Sequence, residues 1–426
     1  MSAAPGTVLV LGADGFIGRH LAFGLRDAGW HVLACARRTA RLKHMGFSTL
    51  QVDLTDPRAH DPAFWRNHLT SVTHIVNSAG VLDAPQAIYT AVQVTAPEAL
   101  YSACPDAQAL LISAVGIDGS DTDFARFRHA GEKIALDHNV TILRVGLVLG
   151  ETSYGGSSLA RALAALPLVT PVVGDGQQVF NPIHAADLAR AVDHLLHHPP
   201  GPGPHDIGGP ETVTQAGMLQ FLRAWFGLPP ARLLRLPVKL AGWMGRVGDL
   251  MRLGPISATS VAQLQNGILA DHAKLTETLP EKPRGFSTFL AARPAGTQDL
   301  WHARLYLARP FLRIVLGLLW LASGLLGLFL PRADFLPLIP DTALPDTALV
   351  AMARLGGLLD LALAAALFRG WRPRLVAALQ AGLVGAYTLA FTILAPGLWL
   401  LPLGGLLKNL PILALIAIHF ILEDER

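Results

Sequence analysis

The hydrophobic positions of the first 310 residues fall in short runs of strand length. These runs occupy residues 7–11, 31–36, 50–54, 74–77, 109–113 and 140–145. Polar or helix-forming stretches separate them, and residues 20–28 have the spacing of a helix. Short, uniformly apolar strands that alternate with helices are typical of a parallel sheet covered on both faces. We therefore predict an α/β fold with a doubly wound parallel sheet in this part.

After residue 310 the hydrophobic runs become long enough to cross a lipid bilayer, which takes about 20 predominantly apolar residues. The candidate spans are residues 314–331, 349–368, 375–407 and 409–422. We predict an all-α, four-helix transmembrane bundle that follows the sheet, with the lipid bilayer as a partner. Three ionisable residues need an explanation there. Arg354 and Lys408 either snorkel toward the span ends or find partners in the bundle, and Lys408 is a candidate partner for Asp360.

Composition agrees with this division of the 426 residues. Only 15% of the residues are charged and the mean hydropathy is +0.41, whereas soluble domains have about 25% charged residues. The length suggests two or three domains. The net charge of +3 is a small arginine excess and gives no reason to expect a nucleic-acid partner. Cys35 and Cys104 lack metal-ligand spacing, so we expect core thiols and no metal site.

Three glycines follow the first apolar run at the spacing G-x-x-G-x-x-G. They come directly after a predicted strand and before a predicted helix, which is the context of a dinucleotide-binding loop. In such a loop Gly12 allows a tight turn, Gly15 lets a pyrophosphate approach the helix N-terminus, and Gly18 allows close packing. The loop residues that we predict to bind the cofactor are Gly12, Asp14, Gly15, Phe16, Ile17 and Gly18.

The end of the second predicted strand favours one cofactor over the other. NAD-binding proteins often place an acidic residue there, on the ribose hydroxyls. This chain has Arg37 and Arg38 and no acid nearby. A guanidinium suits the 2′-phosphate of NADP, so we expect NADP(H), with NAD(H) as the alternative cofactor. Two solvated arginines at a helix start are the structural alternative.

Further segments complete a pattern that resembles a known family. Asp53 and Leu54 follow the third run, Asn77-Ser-Ala79-Gly80 follows the fourth, and Ser113 ends the fifth. With the glycine loop, they resemble the atypical, extended-like short-chain dehydrogenases/reductases, which have a Rossmann fold, over about residues 5–290. The resemblance implies that Asp53 and Leu54 lie at the adenine, that Ala79 and Gly80 line the cofactor site, and that Ser113 is an active-site residue.

The catalytic pair of that family, Tyr-x-x-x-Lys on a helix, is missing. The register that we favour puts Phe124 in place of the Tyr and Arg128 in place of the Lys, because Glu132 then matches the glutamate of the family. A competing register pairs His129 with Lys133. Phenylalanine cannot donate a proton, whereas arginine can still bind the ribose.

The candidate catalytic residues are therefore Ser113 and Arg128, both beside the nicotinamide. His129, Ser113 or Tyr154 could take over the proton transfer. Two more residues, His184 and Asp187, match a segment of the family's substrate lobe, but we expect Asp187 to charge a helix N-terminus.

The predicted domains are 1–230 for the NAD(P)-binding domain with a small substrate lobe, 231–310 for its end and a connector, and 311–426 for the membrane domain. Residues 199–204 read as a proline- and glycine-rich surface loop, and 213–226 as a helix. Within 231–253, arginines and Lys239 alternate with Trp243 and Met244. This pattern suits a helix on an anionic membrane surface or one packed on the domain.

The membrane part resembles the DoxX-like family of small four-helix membrane proteins, through its four spans and the segment from Pro402 to Pro411. That resemblance implies a link to quinone or thiol redox systems at membranes. Basic residues set the orientation. They flank the first span at Arg304, Arg309 and Arg313 and recur at Arg369, Arg372 and Arg374, while the loop between carries Arg332 with Asp334, Asp341 and Asp346. We predict an integral protein of the inner (cytoplasmic) membrane, with the Rossmann domain and both termini in the cytoplasm.

Three functional hypotheses follow. The first is an NADP(H)-dependent oxidoreductase at a membrane that acts on a small-molecule or lipophilic, quinone-like substrate, with a membrane redox partner as one option. The second is a non-catalytic NADP(H)-binding assembly or sensing protein, which would resemble the Rossmann accessory subunit of respiratory complex I. Phe124 favours the second hypothesis. An epimerase or dehydratase is disfavoured, because it also needs acid–base groups.

Overall fold

The computed structural model describes residues 6–339 and 344–423. Asp341 and both chain termini, which entered the orientation argument, lie outside the described residues. The chain forms two compact units. The first comprises Met1–Arg246 and Pro255–Leu300, and the second comprises Val247–Gly254 and Trp301–Arg426.

The first unit is built around a seven-stranded parallel sheet with the order β11-β6-β5-β4-β1-β2-β3. Short pairs β10-β7, β12-β9 and β13-β8 lie outside it. The strands are β1 Thr7–Leu11, β2 His31–Ala36, β3 Ser48–Gln51, β4 Val72–Asn77, β5 Gln108–Ala114, β6 Thr141–Val145, β7 Val148–Leu149, β8 Val169–Val173, β9 Val179–Phe180, β10 Ile183–His184, β11 Gly203–Ile207, β12 Val213–Thr214 and β13 Arg232–Leu236.

The helices of this unit cover the sheet and form the small second lobe. They are α1 Phe16–Asp27, α2 Ala40–His44, α3 Pro62–His68, α4 Gln86–Thr90, α5 Ala96–Ala103, α6 Asp123–Asp137, α7 Gly156–Ala164, α8 Ala185–His197, α9 Gln215–Trp225, α10 Val238–Met251, α11 Ala258–Asn266, α12 Ala273–Thr278 and α13 Phe286–Ala291. A π-helical turn, Ala91–Thr95, joins α4 to α5.

The sheet has apolar layers on both faces, as a doubly wound fold requires. Successive residues of a strand point to opposite faces. In β1, Val8 and Val10 accordingly join the core on the face covered by α1 and α8, while Leu9 and Leu11 join the opposite core with Trp65. The predicted α/β fold with a doubly wound parallel sheet is confirmed.

The predicted bounds of two elements were wrong. Residues 199–204 were expected to form a loop, yet Gly203 begins β11, which pairs with β6 from Gly203↔Thr141 to Ile207↔Val145. The short run GPHDI lacks an apolar signal because it is an edge strand. The third strand ends at Gln51 and not at Leu54, because the Asp53 carboxylate binds the Thr55 amide and turns the chain.

The second unit is helical. Its helices are α14 Thr297–Phe329, α15 Arg332–Phe335, α16 Asp346–Arg369, α17 Pro373–Leu394 and α18 Asn409–Leu422. The first turn of α14, up to Leu300, belongs to the first unit. Four helical segments are long and apolar enough to cross a membrane: Thr297–Phe329, Asp346–Arg369, Pro373–Leu394 and Gly405–Leu422. The predicted helical domain with four candidate spans is confirmed. The long run 375–407 is divided because α17 ends before Pro396 and short 3-10 turns follow.

Close helix packing in this unit depends on small residues. A Cβ added to Gly357 of α16 would lie 2.9 Å from the carbonyl oxygen of Gly324 in α14. A Cβ on Gly327 would lie 2.9 Å from the Gly357 Cα. Such contacts are typical of membrane helices, whose backbones approach closely at glycines. An apolar core of Leu316, Trp320, Leu363, Val376 and Ile416 joins α14, α16, α17 and α18.

Candidate cofactor site

The glycine loop joins β1 to α1 at the carboxyl edge of the sheet. Gly12 has φ +80°, and a Cβ there would lie 2.9 Å from the backbone of Ala79. A Cβ on Gly18 would lie 2.3 Å from the Gly12 carbonyl oxygen and 2.6 Å from the Ser78 hydroxyl. Glycine is thus required at both positions. The sequence predicted these roles from spacing, and the contacts explain them.

The N-terminus of α1 is free to bind an anion. Gly15 is the N-cap residue and is exposed, α1 has no side-chain cap, and its first turn has no acid. The first amides of a helix have no intrahelical acceptor, so those of Phe16 and Ile17 are available to a phosphate. Asp14 does not cap these amides: its carboxylate lies 3.8 Å from Arg38 Nε, and its main-chain oxygen accepts from Arg19 Nη2 at 3.0 Å.

The main chain of Cys35, at the end of β2, is hydrogen-bonded to the glycine loop. Its carbonyl oxygen accepts hydrogen bonds from the amides of Gly12 at 2.9 Å and Ala13 at 3.1 Å. The thiol is fully buried, and burial raises the pKa of Cys35 to about 12. The expectation of a core thiol is therefore met for this residue, and Cys104 is partly buried.

The residues that we expect at the adenosine lie beyond β2 and β3. Arg37 and Arg38 are exposed. Arg38 Nε lies 3.8 Å from a carboxylate oxygen of Asp14, whereas Arg37 has no ion pair within the described part of the chain. Asp53 is exposed, and its Oδ1 accepts from Thr55 N at 2.9 Å and Thr55 Oγ1 at 2.8 Å. Leu54 is buried at this edge.

The loop after β4 lies against the glycine loop. The buried Asn77 donates from Nδ2 to the Tyr101 hydroxyl at 3.0 Å, and its Oδ1 accepts from the Ala79 amide at 3.1 Å. Ser78 donates to the Leu11 carbonyl oxygen at 2.7 Å. These bonds fix the path of the chain to Gly80 and hold the backbone of Ala79 against Gly12.

Arg128 of α6 reaches this loop. A Cβ on Gly80 would lie only 2.0 Å from Arg128 Nη2, so glycine makes room for the guanidinium. Nη1 donates to the Ile112 carbonyl oxygen at 3.2 Å, while the buried Nε has no hydrogen-bond partner among the described residues. Burial lowers the pKa of Arg128 to about 10. The guanidinium has no ion-pair partner in the described ranges and keeps donors for a ligand.

Phe124, one turn before Arg128, belongs to an apolar cluster with Tyr89, Ile117 and Ala125. The guanidinium carbon of Arg128 lies 5.5 Å from the centre of the Phe124 ring. Sequence reasoning missed Tyr89, which gave no motif signal. Its hydroxyl donates to the Leu82 carbonyl oxygen at 2.5 Å, and burial raises the pKa of Tyr89 to about 12. That hydroxyl is therefore a poor proton donor.

Ser113 is buried within an ionic network rather than open to a cleft. Its hydroxyl donates to Glu132 Oε1 at 2.6 Å. Arg144 binds the same carboxylate through Nε at 2.9 Å and Nη2 at 2.6 Å, and the hydrogen bond with Glu132 raises the pKa of Arg144. Ser113 thus helps to satisfy a buried carboxylate. Arg128 does not bond to Ser113, although both belong to the candidate site.

The alternative acid–base residues lie in different surroundings. Lys133 is exposed, which argues for the register with Phe124 and Arg128. The His129 ring lies 3.4 Å from an Asp118 carboxylate oxygen and 3.8 Å from Glu132. Tyr154 is 49% exposed in the loop before α7.

His184 and Asp187 have structural partners. His184 Nδ1 accepts from the Ala186 amide at 3.2 Å and caps α8. The buried Asp187 lies in the first turn of α8, accepts from Arg284 N at 3.0 Å and Nε at 3.1 Å, and pairs with Arg190. These contacts agree with the structural role that we expected for Asp187.

The donor set fits a nicotinamide dinucleotide. An uncapped helix N-terminus can take a pyrophosphate, the exposed Arg37 can take a 2′-phosphate, and Arg128 lies beside Gly80 with donors to spare. The described residues contain no group of three or more His, Cys, Asp or Glu side chains that could hold a metal. The site can thus bind and orient a dinucleotide.

Family models match two separate parts of the chain. The NAD dependent epimerase/dehydratase family matches residues 8–208, and the DoxX-like family matches residues 317–417. No curated protein sequence matches the chain.

Solved structures share the fold of the first unit. MoeE5 in complex with UDP-glucose and NAD is 21% identical, with a TM-score of 0.52 over 71% of this chain and 100% of that one. A dTDP-glucose 4,6-dehydratase from Bacillus anthracis str. Ames in complex with NAD is 15% identical, with a TM-score of 0.54 over 70% and 96%. UDP-N-acetylglucosamine 4-epimerase from Bacillus cereus is 15% identical, with 0.51 over 67% and 94%. The chain therefore joins a domain similar to the NAD dependent epimerase/dehydratase family to a membrane domain similar to the DoxX-like family.

Proposed function

We propose that the protein is a membrane-anchored oxidoreductase of the atypical short-chain reductase type, which uses NADP(H) to reduce or oxidise a lipophilic, quinone-like substrate. The position of Arg128 carries the proposal. Its guanidinium lies against Gly80, after β4, and bonds to Ile112 of β5. Ligands in open α/β sheets bind at these carboxyl ends.

Three groups would hold the cofactor. The first amides of α1 would bind the pyrophosphate, Arg37 the 2′-phosphate, and Arg128 the nicotinamide ribose. A bound nicotinamide supplies the hydride chemistry. Solved structures of similar fold were determined in complex with NAD, which supports a nicotinamide cofactor. The arginines after β2 favour NADP(H) over NAD(H).

Phe124 in place of the family's catalytic tyrosine limits which substrates this site could reduce. Phe124 has no proton to give, and the Tyr89 hydroxyl beside it is buried and bonded to Leu82. A carbonyl substrate needs a proton donor at the moment of reduction. A quinone-like ring forms a stabilised anion and can take its proton from water, so it suits this site better. The membrane domain gives such a lipophilic substrate a route to the protein.

A non-catalytic role is the second candidate, and one observation favours it. Both family positions that would support proton transfer have structural partners here: Phe124 packs in an apolar cluster, and Ser113 binds Glu132. In this role the domain would bind NADP(H) as an assembly or redox-sensing module. An epimerase or dehydratase remains disfavoured for the same reason.

Turnover separates the two candidates. Purified full-length protein in detergent would be given NADPH and a short-chain quinone analogue, and absorbance would follow NADPH oxidation. We expect oxidation well above the rate without protein, and a lower rate with NADH. NADPH binding without oxidation would support the non-catalytic role instead.

Cofactor preference tests the assignment of Arg37. Arg37→Ala should weaken NADPH binding about tenfold or more, by the loss of a charge-assisted contact, and should leave NADH binding unchanged. Calorimetric titration of the full chain measures both. Lys43→Ala, which removes another exposed cation from α2, is the control. Equal effects of the two substitutions would contradict the 2′-phosphate assignment.

The glycine loop allows a matched comparison. Gly12 and Gly119 have φ of +80° and +72°, but only Gly12 has backbone within 4 Å of the position of an added Cβ. Gly119→Ala should thus cost only backbone strain, about 1 kcal/mol. Gly12→Ala should also push the loops apart and abolish dinucleotide binding by titration. Retained binding in Gly12→Ala would exclude this loop as the cofactor site.

The orientation is part of the proposal. The basic residues around the first span and after the second favour a cytoplasmic Rossmann domain, where NADPH is available. A membrane-impermeant protease added to inside-out membrane vesicles should then remove the Rossmann domain, and the same protease added to intact spheroplasts should not. Cleavage in spheroplasts alone would reverse the orientation.

A further inference from the structure

The carboxylate of Asp360 is buried in the middle of the helical unit. Asp360 is 3% exposed and lies on α16, 14 residues after its first residue and 9 before its last. At 1.5 Å per residue these separations are about 21 Å and about 14 Å. If α16 crosses the bilayer, Asp360 is far from both water phases, where an ionisable group is costly and marks a functional site by default.

Asp360 receives hydrogen bonds from two other helices. Ser323 of α14 donates to Oδ2 at 2.6 Å, and the Tyr387 hydroxyl of α17 donates to Oδ1 at 3.2 Å. Gly356, one turn away on α16, makes room for the phenol, because a Cβ there would lie 2.8 Å from the Tyr387 oxygen. Three helices thus meet at one carboxyl group.

No cation among the described residues forms an ion pair with Asp360. Arg354, on the same helix, donates to the carbonyl oxygens of Gly327 at 2.9 Å and Leu330 at 2.7 Å. Arg313 binds the Met251 carbonyl oxygen. Lys408 is exposed and does not pair with Asp360, so the expected ion pair across the bundle is absent from the described residues.

Without a cation, the charged form of Asp360 is poorly compensated. A buried charge is tolerated when it is paired, and two neutral hydroxyl groups do not supply the opposite charge. Tyr387 is the titratable side chain that faces Asp360 from α17, and α14 contributes Ser323. The neutral, protonated form is therefore favoured in an apolar surrounding.

Further polar side chains extend from this point along the bundle. Toward the end that holds Arg313, Trp320 donates to Gln380 Oε1 at 2.9 Å. Gln380 and His419 are both 0% exposed, and Gln380 Nε2 has no hydrogen-bond partner within the described chain. The His419 ring makes no hydrogen bond within the described chain either, but its Nε2 lies 3.4 Å from a carboxylate oxygen of Glu423. Toward the other end, Asn409 donates to Thr388 at 2.7 Å. Polar groups therefore lie on both sides of Asp360 along the helices.

We propose that Asp360 is a proton-binding site of the helical domain. A hydronium ion gives its proton to the carboxylate: one O–H bond of the hydronium breaks and leaves water, one O–H bond forms on Asp360, and Ser323 or Tyr387 turns from donor to acceptor. Release reverses these changes. No oxidant or reductant takes part, and the proposal does not depend on the proposed function of the Rossmann domain.

A lipophilic fluorescent carbodiimide tests this proposal, because carbodiimides react with protonated carboxyl groups in apolar surroundings. Full-length protein in liposomes would be labelled from mildly acidic to alkaline pH, and mass spectrometry would locate the adduct. We expect an adduct on Asp360 that decreases as pH rises. Asp360→Asn should lose it, and Asp346→Asn, at the exposed start of α16, should keep it.

Two results would overturn the proposal. One is an unlabelled Asp360 at every pH. The other is protection by Na⁺ at constant pH, which would mean that the carboxylate binds a metal cation. Ser323→Ala provides a second variant that keeps the carboxyl group. Loss of a donor to the anion should extend labelling to higher pH, and an unchanged pH profile in folded Ser323→Ala would also count against the proposal.

Discussion

The two units compensate buried carboxylates in different ways. In the Rossmann-like unit, Glu132, Asp187 and Asp299 each bind a guanidinium, from Arg144, Arg284 and Arg293 respectively. In the helical unit, Asp360 has hydroxyl donors only. An arginine partner lets a buried carboxylate stay charged, whereas hydroxyl donors alone favour a neutral, protonated carboxyl group.

The surroundings explain this difference. In the first unit, strands and loops bring arginine side chains to the buried carboxylates. Arg144, for example, is largely buried and binds both Glu132 and the exposed Asp118, the latter at 2.7 Å. In the helical unit, the partly buried Arg354 and the buried Arg313 bind carbonyl oxygens at helix ends. A paired charge therefore predicts a large loss on mutation, and a neutral group predicts pH dependence without such a loss.

The largest expected effect comes from breaking the pair of Glu132 and Arg144. Arg144→Met leaves a buried carboxylate with only Ser113 as donor, and this should cost about 3–5 kcal/mol of unfolding free energy. Urea unfolding of the detergent-solubilised protein, followed by near-UV circular dichroism, measures the loss. Arg126→Ala, which breaks the exposed pair with Asp123, should cost less than about 1 kcal/mol. Equal losses would remove the distinction between buried and exposed pairs.

A smaller loss is expected at Arg354 of the helical unit. Arg354→Gln removes two charge-assisted hydrogen bonds to the end of α14, which should cost roughly 2 kcal/mol. The midpoint of thermal unfolding in detergent should fall accordingly. Arg332→Gln, at an exposed pair with Asp346, is the control. No change at Arg354 would mean that water or detergent replaces those bonds.

The smallest effect concerns pH. Burial lowers the pKa of His20 below its usual value of 6.5. The unfolded chain thus takes up a proton first as pH falls, and stability decreases below about pH 6.5. His20→Asn should make this decrease shallower by less than about 1 kcal/mol, and His44→Asn, on the surface of α2, should not. A steeper profile for His20→Asn would reverse the sign of this argument.

Local patterns in the sequence were sufficient for much of the fold. Strands β1 and β2 have the predicted bounds, because uniform apolar runs between turns leave few alternatives. Strand β11 was missed, since Gly203–Ile207 contains one buried apolar residue and owes its conformation to pairing with β6. Such tertiary pairing has no local signal.

The candidate site divides in the same way. The glycine loop was predictable because its residues are adjacent in the chain. The hydrogen bonds that join Ser113 and Arg144 to Glu132 were not predictable, because these residues lie on three segments that meet only in the folded sheet. The contact of Arg128 with Gly80 likewise depends on where α6 packs. For Asp360 the predicted helix was correct, but the predicted partner, Lys408, was wrong, because the partners Ser323 and Tyr387 are uncharged and a search for opposite charges misses them.

The rate at which a thiol reagent labels Cys35 can report local opening of the protein. The Cys35 thiol is fully buried in the apolar core with Leu9 and Leu11, so a thiol reagent can reach it only while that part of the sheet is transiently open. Cys104 is partly buried and serves as an internal reference for reagent access. The labelling rate of Cys35 then gives the free energy of local opening near the candidate cofactor site in the native protein. A dinucleotide that binds at this site should slow the labelling.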